Sequence, residues 1–135
     1  MRHIAAGFLG LFLLAVLVGC GGDDKGSVEG TVTFDGQPVA SGTVTFVKTE
    51  GGLVREGAVI TDGAFQAQVP PGRYKIEVSA QKVVGKRKQK GFDGNMEEIE
   101  LKDEYIPEWY NTKSELSEDI KPGRNTIKLD LKSKK

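Results

Sequence analysis

A two-residue rhythm of apolar and polar side chains runs through most of this chain. Val28, Val32 and Phe34 share one side of an extended segment with Gly30, while Glu29, Thr31 and Thr33 take the other. Val44 and Phe46 alternate with Thr43 and Thr45, and Phe65, Ala67 and Val69 with Gln66 and Gln68. Tyr74, Ile76, Val78 and Ala80 alternate with Arg73, Lys75, Glu77 and Ser79. Near the C-terminal end, Ile127, Leu129 and Leu131 alternate with Thr126, Lys128, Asp130 and Lys132. Successive side chains of a strand point to opposite faces, so this pattern predicts antiparallel strands with one face buried and one wet. Two weaker strands are expected at Ala58 to Thr61 and at Met96 to Lys102, the latter with Ile99 and Leu101 on one side.

Turn chemistry separates these runs. Asp35-Gly36, Asp62-Gly63, Pro70-Pro71-Gly72 and Lys121-Pro122-Gly123 all fall between alternating segments, and Asp-Gly is a strong hairpin signal. Gly30-Thr-Val-Thr-Phe34 recurs as Gly42-Thr-Val-Thr-Phe46. Two copies are too few for a solenoid and read as two strands meeting the same half-buried environment. Five clear strands and two weaker ones predict an all-β fold, a single antiparallel β-sandwich of about seven strands after an N-terminal signal helix. A chain of 135 residues has room for one such domain, and two packed sheets bury its core without disulfides.

The N-terminal segment has a different character. Met1-Arg2-His3 is short and basic, and Ile4 to Val18 carries only apolar side chains or glycine. That length matches a secretory apolar region and falls short of the ~20 residues that span a bilayer. The run closes in Leu17-Val18-Gly19-Cys20, which resembles a bacterial lipobox. The resemblance implies cleavage between Gly19 and Cys20, lipidation of Cys20, and membrane attachment through two or three N-terminal acyl chains, a number that anchors stably. Residue 21 is Gly rather than Asp, which by resemblance to enterobacterial sorting points to the outer membrane rather than the inner. The expected organisation is a signal peptide at 1–19, a lipidated cysteine and flexible tether at 20–27, and a sandwich domain at 28–135 with an insertion at 81–111.

Composition narrows the function classes. Nineteen basic residues balance nineteen acidic ones, so no polybasic surface attracts nucleic acid. The only histidine is His3 and the only cysteine Cys20, so the expected mature chain has no histidine-based triad and no His or Cys-cluster metal site. No cofactor and no metal are expected.

The 81–111 stretch departs most from the plain strand pattern. It opens with Lys82, Lys86, Arg87, Lys88 and Lys90 and turns acidic at Asp93, Glu97, Glu98, Glu100, Asp103 and Glu104. It ends in the aromatic cluster Tyr105, Trp109 and Tyr110. The rings are candidates for sugar stacking or for a protein interface, or else they cover an open sandwich edge. The basic run is a candidate for anionic head groups or wall polymers, against the simpler reading of a charged hairpin balanced by its acidic neighbour. A carboxylate pair for glycoside hydrolysis among Glu97, Glu98, Glu100, Asp103 and Glu104 weighs less than a solvated strand face. Asp23-Asp24 and Asp93-Gly94-Asn95 offer hard oxygen ligands but no EF-hand spacing, and read as tether and turn.

Gly30-Thr-Val-Thr-Phe-Asp-Gly-Gln-Pro-Val-Ala-Ser-Gly-Thr-Val-Thr-Phe46, Thr61-Asp-Gly-Ala-Phe65 and Val69-Pro-Pro-Gly-Arg-Tyr74 together resemble carboxypeptidase regulatory-like domains, which are transthyretin-like, Ig-like sandwiches. The Thr-Asp-Gly turn has one residue fewer than the commoner form. Ile106-Pro-Glu-Trp-Tyr-Asn111, Ser114-Glu-Leu116 and Gly123-Arg-Asn125 are similar to small lipoproteins of planctomycete bacteria. The resemblance implies an accessory β-module with no catalytic residues to carry over. The expected function is a non-enzymatic, lipid-anchored cell-envelope protein for structural or protein–protein interaction. The alternative is an envelope glycan-binding module using Tyr105, Trp109 and Tyr110.

Overall fold

The computed structural model of the chain describes residues 24–48 and 50–135. The expected signal segment, its Gly19–Cys20 cleavage site and the lipidated Cys20 lie outside the described residues. Among the described residues, no helix is long and apolar enough to cross a membrane.

Ten strands are described: β1 (Gly26–Phe34), β2 (Gln37–Pro38), β3 (Ser41–Lys48), β4 (Val54–Thr61), β5 (Ala64–Val69), β6 (Gly72–Ser79), β7 (Gln81–Lys90), β8 (Met96–Glu104), β9 (Ser117–Ile120) and β10 (Gly123–Leu131). Seven of them form one hydrogen-bonded path, β10-β1-β5-β4-β3-β6-β9. Strands β4 and β5 meet only at Thr61 and Ala64, so the path divides there into two layers, β10-β1-β5 and β4-β3-β6-β9. The fold is the all-β sandwich expected from the alternation, and most of its inward residues are those the pattern placed inside, joined by Val39, Ile106 and Ile120 from outside the alternating runs. Val28, Val32, Val44, Phe46, Phe65, Val69, Tyr74, Ile76, Val78, Ile127, Leu129 and Leu131 share one core. Phe46 links the layers, with ring centroids 6.3 Å from Phe65 and 6.2 Å from Tyr74. Tyr74 is buried because its hydroxyl finds a partner, donating to the Pro70 carbonyl at 2.9 Å.

The recurring glycines have a steric cause. A Cβ at Gly30 would enter the Phe65 ring, and one at Gly42 would strike the Ser79 carbonyl. The two Asp-Gly turns hold positive φ at both residues: 49° and 81° at Asp35-Gly36, 50° and 77° at Asp62-Gly63. Such values give the hairpin twist that Asp-Gly supplies at little cost.

Two strand assignments are corrected. Met96 to Lys102, expected in the sandwich, belongs to β8, which pairs with β7 alone in a separate two-stranded ribbon. Its Ile99 and Leu101 alternate correctly, but no second layer faces them. The seventh sandwich strand is instead β9, antiparallel to β6, where Ile120 alone is buried. One pairing also departs from the antiparallel rule: β10 lies parallel to β1, from Gly26–Gly123 to Phe34–Leu131.

The registers give the sandwich two distinct ends. Gly26, Val69, Gly72, Ile120 and Gly123 lie at one. Phe34, Thr61, Ser79 and Leu131 lie at the other, where β6 hands the chain to the ribbon.

Candidate functional site

The ribbon leaves the body through Ser79 and Ala80, and Glu104 fixes its root. That carboxylate accepts from Ser79 Oγ at 2.5 Å, Ala80 N at 2.8 Å and Ile106 N at 3.1 Å. One side chain therefore holds both strands where they meet the sandwich, and charged acceptors make the stronger hydrogen bonds. Beyond the root, both strands are exposed on both faces apart from the half-buried Gly85 and Ile99. Val84 is an extra residue between the Val83–Lys102 and Gly85–Leu101 pairs, a bulge that twists the ribbon near the body.

Register distributes the basic run over both faces. Lys86, Lys88 and Lys90 lie opposite Glu100, Glu98 and Met96 on one face, while Lys82 and Arg87 lie opposite Asp103 and Ile99 on the other. Of these five cations, only Lys86 forms an ion pair among the described residues, at 2.9 Å to Glu98. Arg87 reaches Gln89 at 3.4 Å. The acidic strand thus lies beside the basic one without neutralising it pair by pair. Its acids are also divided, Glu98 and Glu100 on one face and Glu97 and Asp103 on the other, and Glu104 is spent on the clamp. They do not gather around a common cleft.

The tip is a closed turn. Gly91 N donates to Asn95 O at 2.8 Å. The Asp93 carboxylate accepts from Asn95 N at 3.0 Å and from Asn95 Nδ2 at 2.7 Å. The Asn95 backbone N–H, and then its side chain, hold Asp93 below the usual aspartate range. Phe92 stands fully exposed at this tip.

The aromatic segment returns to the body. Ile106 enters the core, and Tyr105 and Tyr110 pack against it. Tyr105 meets Phe34 edge-on at 5.6 Å, and burial, then the nearby Glu104, raises its phenol pKa. Trp109 and Tyr110 sit on a short 3-10 turn, Glu108–Tyr110, with rings 6.1 Å apart and tilted 57°. Tyr110 Oη accepts from Lys132 N at 3.2 Å. The Trp109 Nε1–H is buried without a hydrogen-bond partner among the described residues. Downstream, Ser114 Oγ donates to the Ile76 carbonyl and Ile76 N donates to Leu116 O at 2.9 Å, which ties the segment to β6. The structure therefore pairs Trp109 with Tyr110 and places Tyr105 apart with Phe34, while the five cations stand along β7.

Sequence reasoning grouped Glu104 with the other acids and missed its clamp, because nothing local distinguishes it from Glu97 or Glu100. It also passed over the exposed apolar residues Val83, Val84 and Phe92 of the ribbon, and read Met96 and Leu101, exposed as well, into a sandwich strand. Their signal was available: each stands next to charged, polar or glycine residues, with too few apolar neighbours to close a core.

A model of the carboxypeptidase regulatory-like domain matches residues 27–97, from β1 into the start of β8. No curated protein matches the chain. Among solved structures, the chain is similar to a 9R-lipoxygenase from Cyanothece PCC8801, with 11% identity and a TM-score of 0.36. That likeness covers 80% of this chain and 16% of the lipoxygenase chain, so this chain spans a small part of that protein's length.

Proposed function

The chain belongs to the carboxypeptidase regulatory-like domain family, and from that premise we propose that it is a lipid-anchored cell-envelope module that presents the β7–β8 ribbon to other proteins. Domains of this family are non-catalytic, and the dispersed carboxylates of the ribbon support the same reading here. The observation that carries the proposal is the polarity of the sandwich. Strand β1 begins at Gly26, at the end shared with Gly72 and Gly123, and the ribbon is rooted at the other end beside Ser79. A tether from lipidated Cys20 to Gly26 reaches at most about 20 Å. It holds the first end near the outer membrane and leaves the ribbon root on the far side of the body.

The ring geometry supports protein interaction over glycan stacking. Tyr105 is engaged with Phe34 and Tyr110 with the core and the Lys132 backbone, so the three rings do not form a common platform. A photoreactive residue at position 88, in full-length lipidated protein in living cells, tests the reading against the same residue at position 121. Protein adducts at 88 and few at 121 are expected, together with acyl-chain mass on the N-terminal Cys20 peptide of the purified protein. Adducts only to wall polymer, or an unmodified Cys20, overturn it.

A further inference from the structure

Strand β7 is ten residues long, and among the described residues no strand pairs with its outer edge. A long unpaired edge presents a row of free backbone donors and acceptors, a template for another strand. Its charge is uniform: Lys82, Arg87, Lys86, Lys88 and Lys90 with no acid, and four of the five lack an ion pair among the described residues. Val83 and Val84 are exposed beside them. The outer edge of β8 carries both signs, because Lys102 interrupts its acids.

We propose that the outer edge of β7 is a β-addition site for an acidic extended segment of a partner protein. The inference rests on the ribbon being an interaction arm and names what the arm takes. Three properties converge on a strand rather than a polyanion. The cations are split between two faces, so a polymer lying on one face reaches only one set. An added strand turns alternate side chains to both faces and meets both sets. The edge also offers main-chain hydrogen bonds that only another backbone completes, which is how strand addition gains affinity. The chain already contains an example of the matching composition: β8, Met96-Glu-Glu-Ile-Glu-Leu-Lys-Asp-Glu104, pairs with the inner edge of the same strand.

The test uses the 15N-labelled full-length lipidated protein in detergent micelles and a synthetic peptide with the β8 sequence, Met96 to Glu104. Amide exchange should slow at every second residue of β7, and affinity should fall at least tenfold between about 50 and 300 mM salt as the charges are screened. Lys88→Gln with Lys90→Gln should weaken binding severalfold. A second peptide of equal charge, with prolines at alternate positions to remove ladder donors, should lose binding. Equal binding by the proline peptide or by polyglutamate reduces the site to a charge-binding surface and overturns the proposal. Concentration-dependent dimers without peptide, protected along β7, also overturn it by making a second copy the occupant. No peptide binding overturns it too, while protein adducts at position 88 in cells would still leave the interaction module standing.

Discussion

Strands β6 and β8 obey the same alternation and meet opposite fates. In β6, Tyr74, Ile76 and Val78 point inward between neighbours β3 and β9 and are essentially sealed, with Ile76 at 0% exposure. In β8, Ile99 and Leu101 alternate just as regularly, yet Leu101 keeps 40% exposure because no second layer faces it. Alternation makes a strand; only an opposing layer makes a core. An isolated two-stranded ribbon is marginal in water, so this one depends on its attachment. The body and ribbon divide the labour: stability resides in the sandwich, and free surface in the arm.

The largest expected effect sharpens that division from the body side. Phe46→Ala removes the ring that joins both layers and should cost about 3–5 kcal/mol, read by denaturant unfolding. A cost below about 1 kcal/mol would break the comparison. Next, Glu104→Ala removes the acceptor shared by Ser79, Ala80 and Ile106, leaving donors unmet at a cost of roughly 1–3 kcal/mol. Amide exchange across 81–104 should quicken while β1, β3 and β6 keep their protection. Equal quickening in the body would mean the ribbon is integral to the core.

A smaller effect is expected from acid. Burial raises the Glu77 pKa, but Lys75 at 2.9 Å and Arg55 at 3.2 Å outweigh it and leave the carboxyl below its ordinary 4.5. A carboxylate depressed in the folded state stabilises fully above its unfolded pKa and loses that contribution as pH falls through the folded value. Stability should therefore decline below about pH 4.5 and decline less in Glu77→Gln, measured by urea unfolding at stepped pH. Smallest of all, Lys86→Ala removes an exposed ribbon pair with Glu98 and should change global stability by less than about 1 kcal/mol. A larger loss would show that the ribbon's charges hold the fold.

Much of the body was legible because its signals are local. Asp35-Gly36 and Asp62-Gly63 announce turns whose positive φ the structure confirms, and inward residues such as Val44, Ile76 and Leu129 repeat at the strand period. What escaped depends on distant partners. Ser117-Glu-Asp-Ile120 has one apolar residue, and its place beside β6 is set mostly by backbone pairing. The side of the fold that β8 joins cannot be read from Ile99 and Leu101, since the missing layer leaves no mark on them. At the candidate site, the aromatic segment was visible as a cluster. The positions of Tyr105 and Tyr110 are set by Phe34 and Lys132, more than twenty residues away in sequence.

The parallel pairing of the first and last strands has a mechanical consequence. Strand β1 enters the domain at the Gly26 end, and β10 leaves it at the Leu131 end, joined by a nine-residue ladder. A pull between the two chain ends therefore runs along that ladder. It loads the hydrogen bonds together in shear instead of peeling them one at a time. For a domain held to a surface by its leading end and tugged from beyond its trailing one, that geometry acts as a clamp.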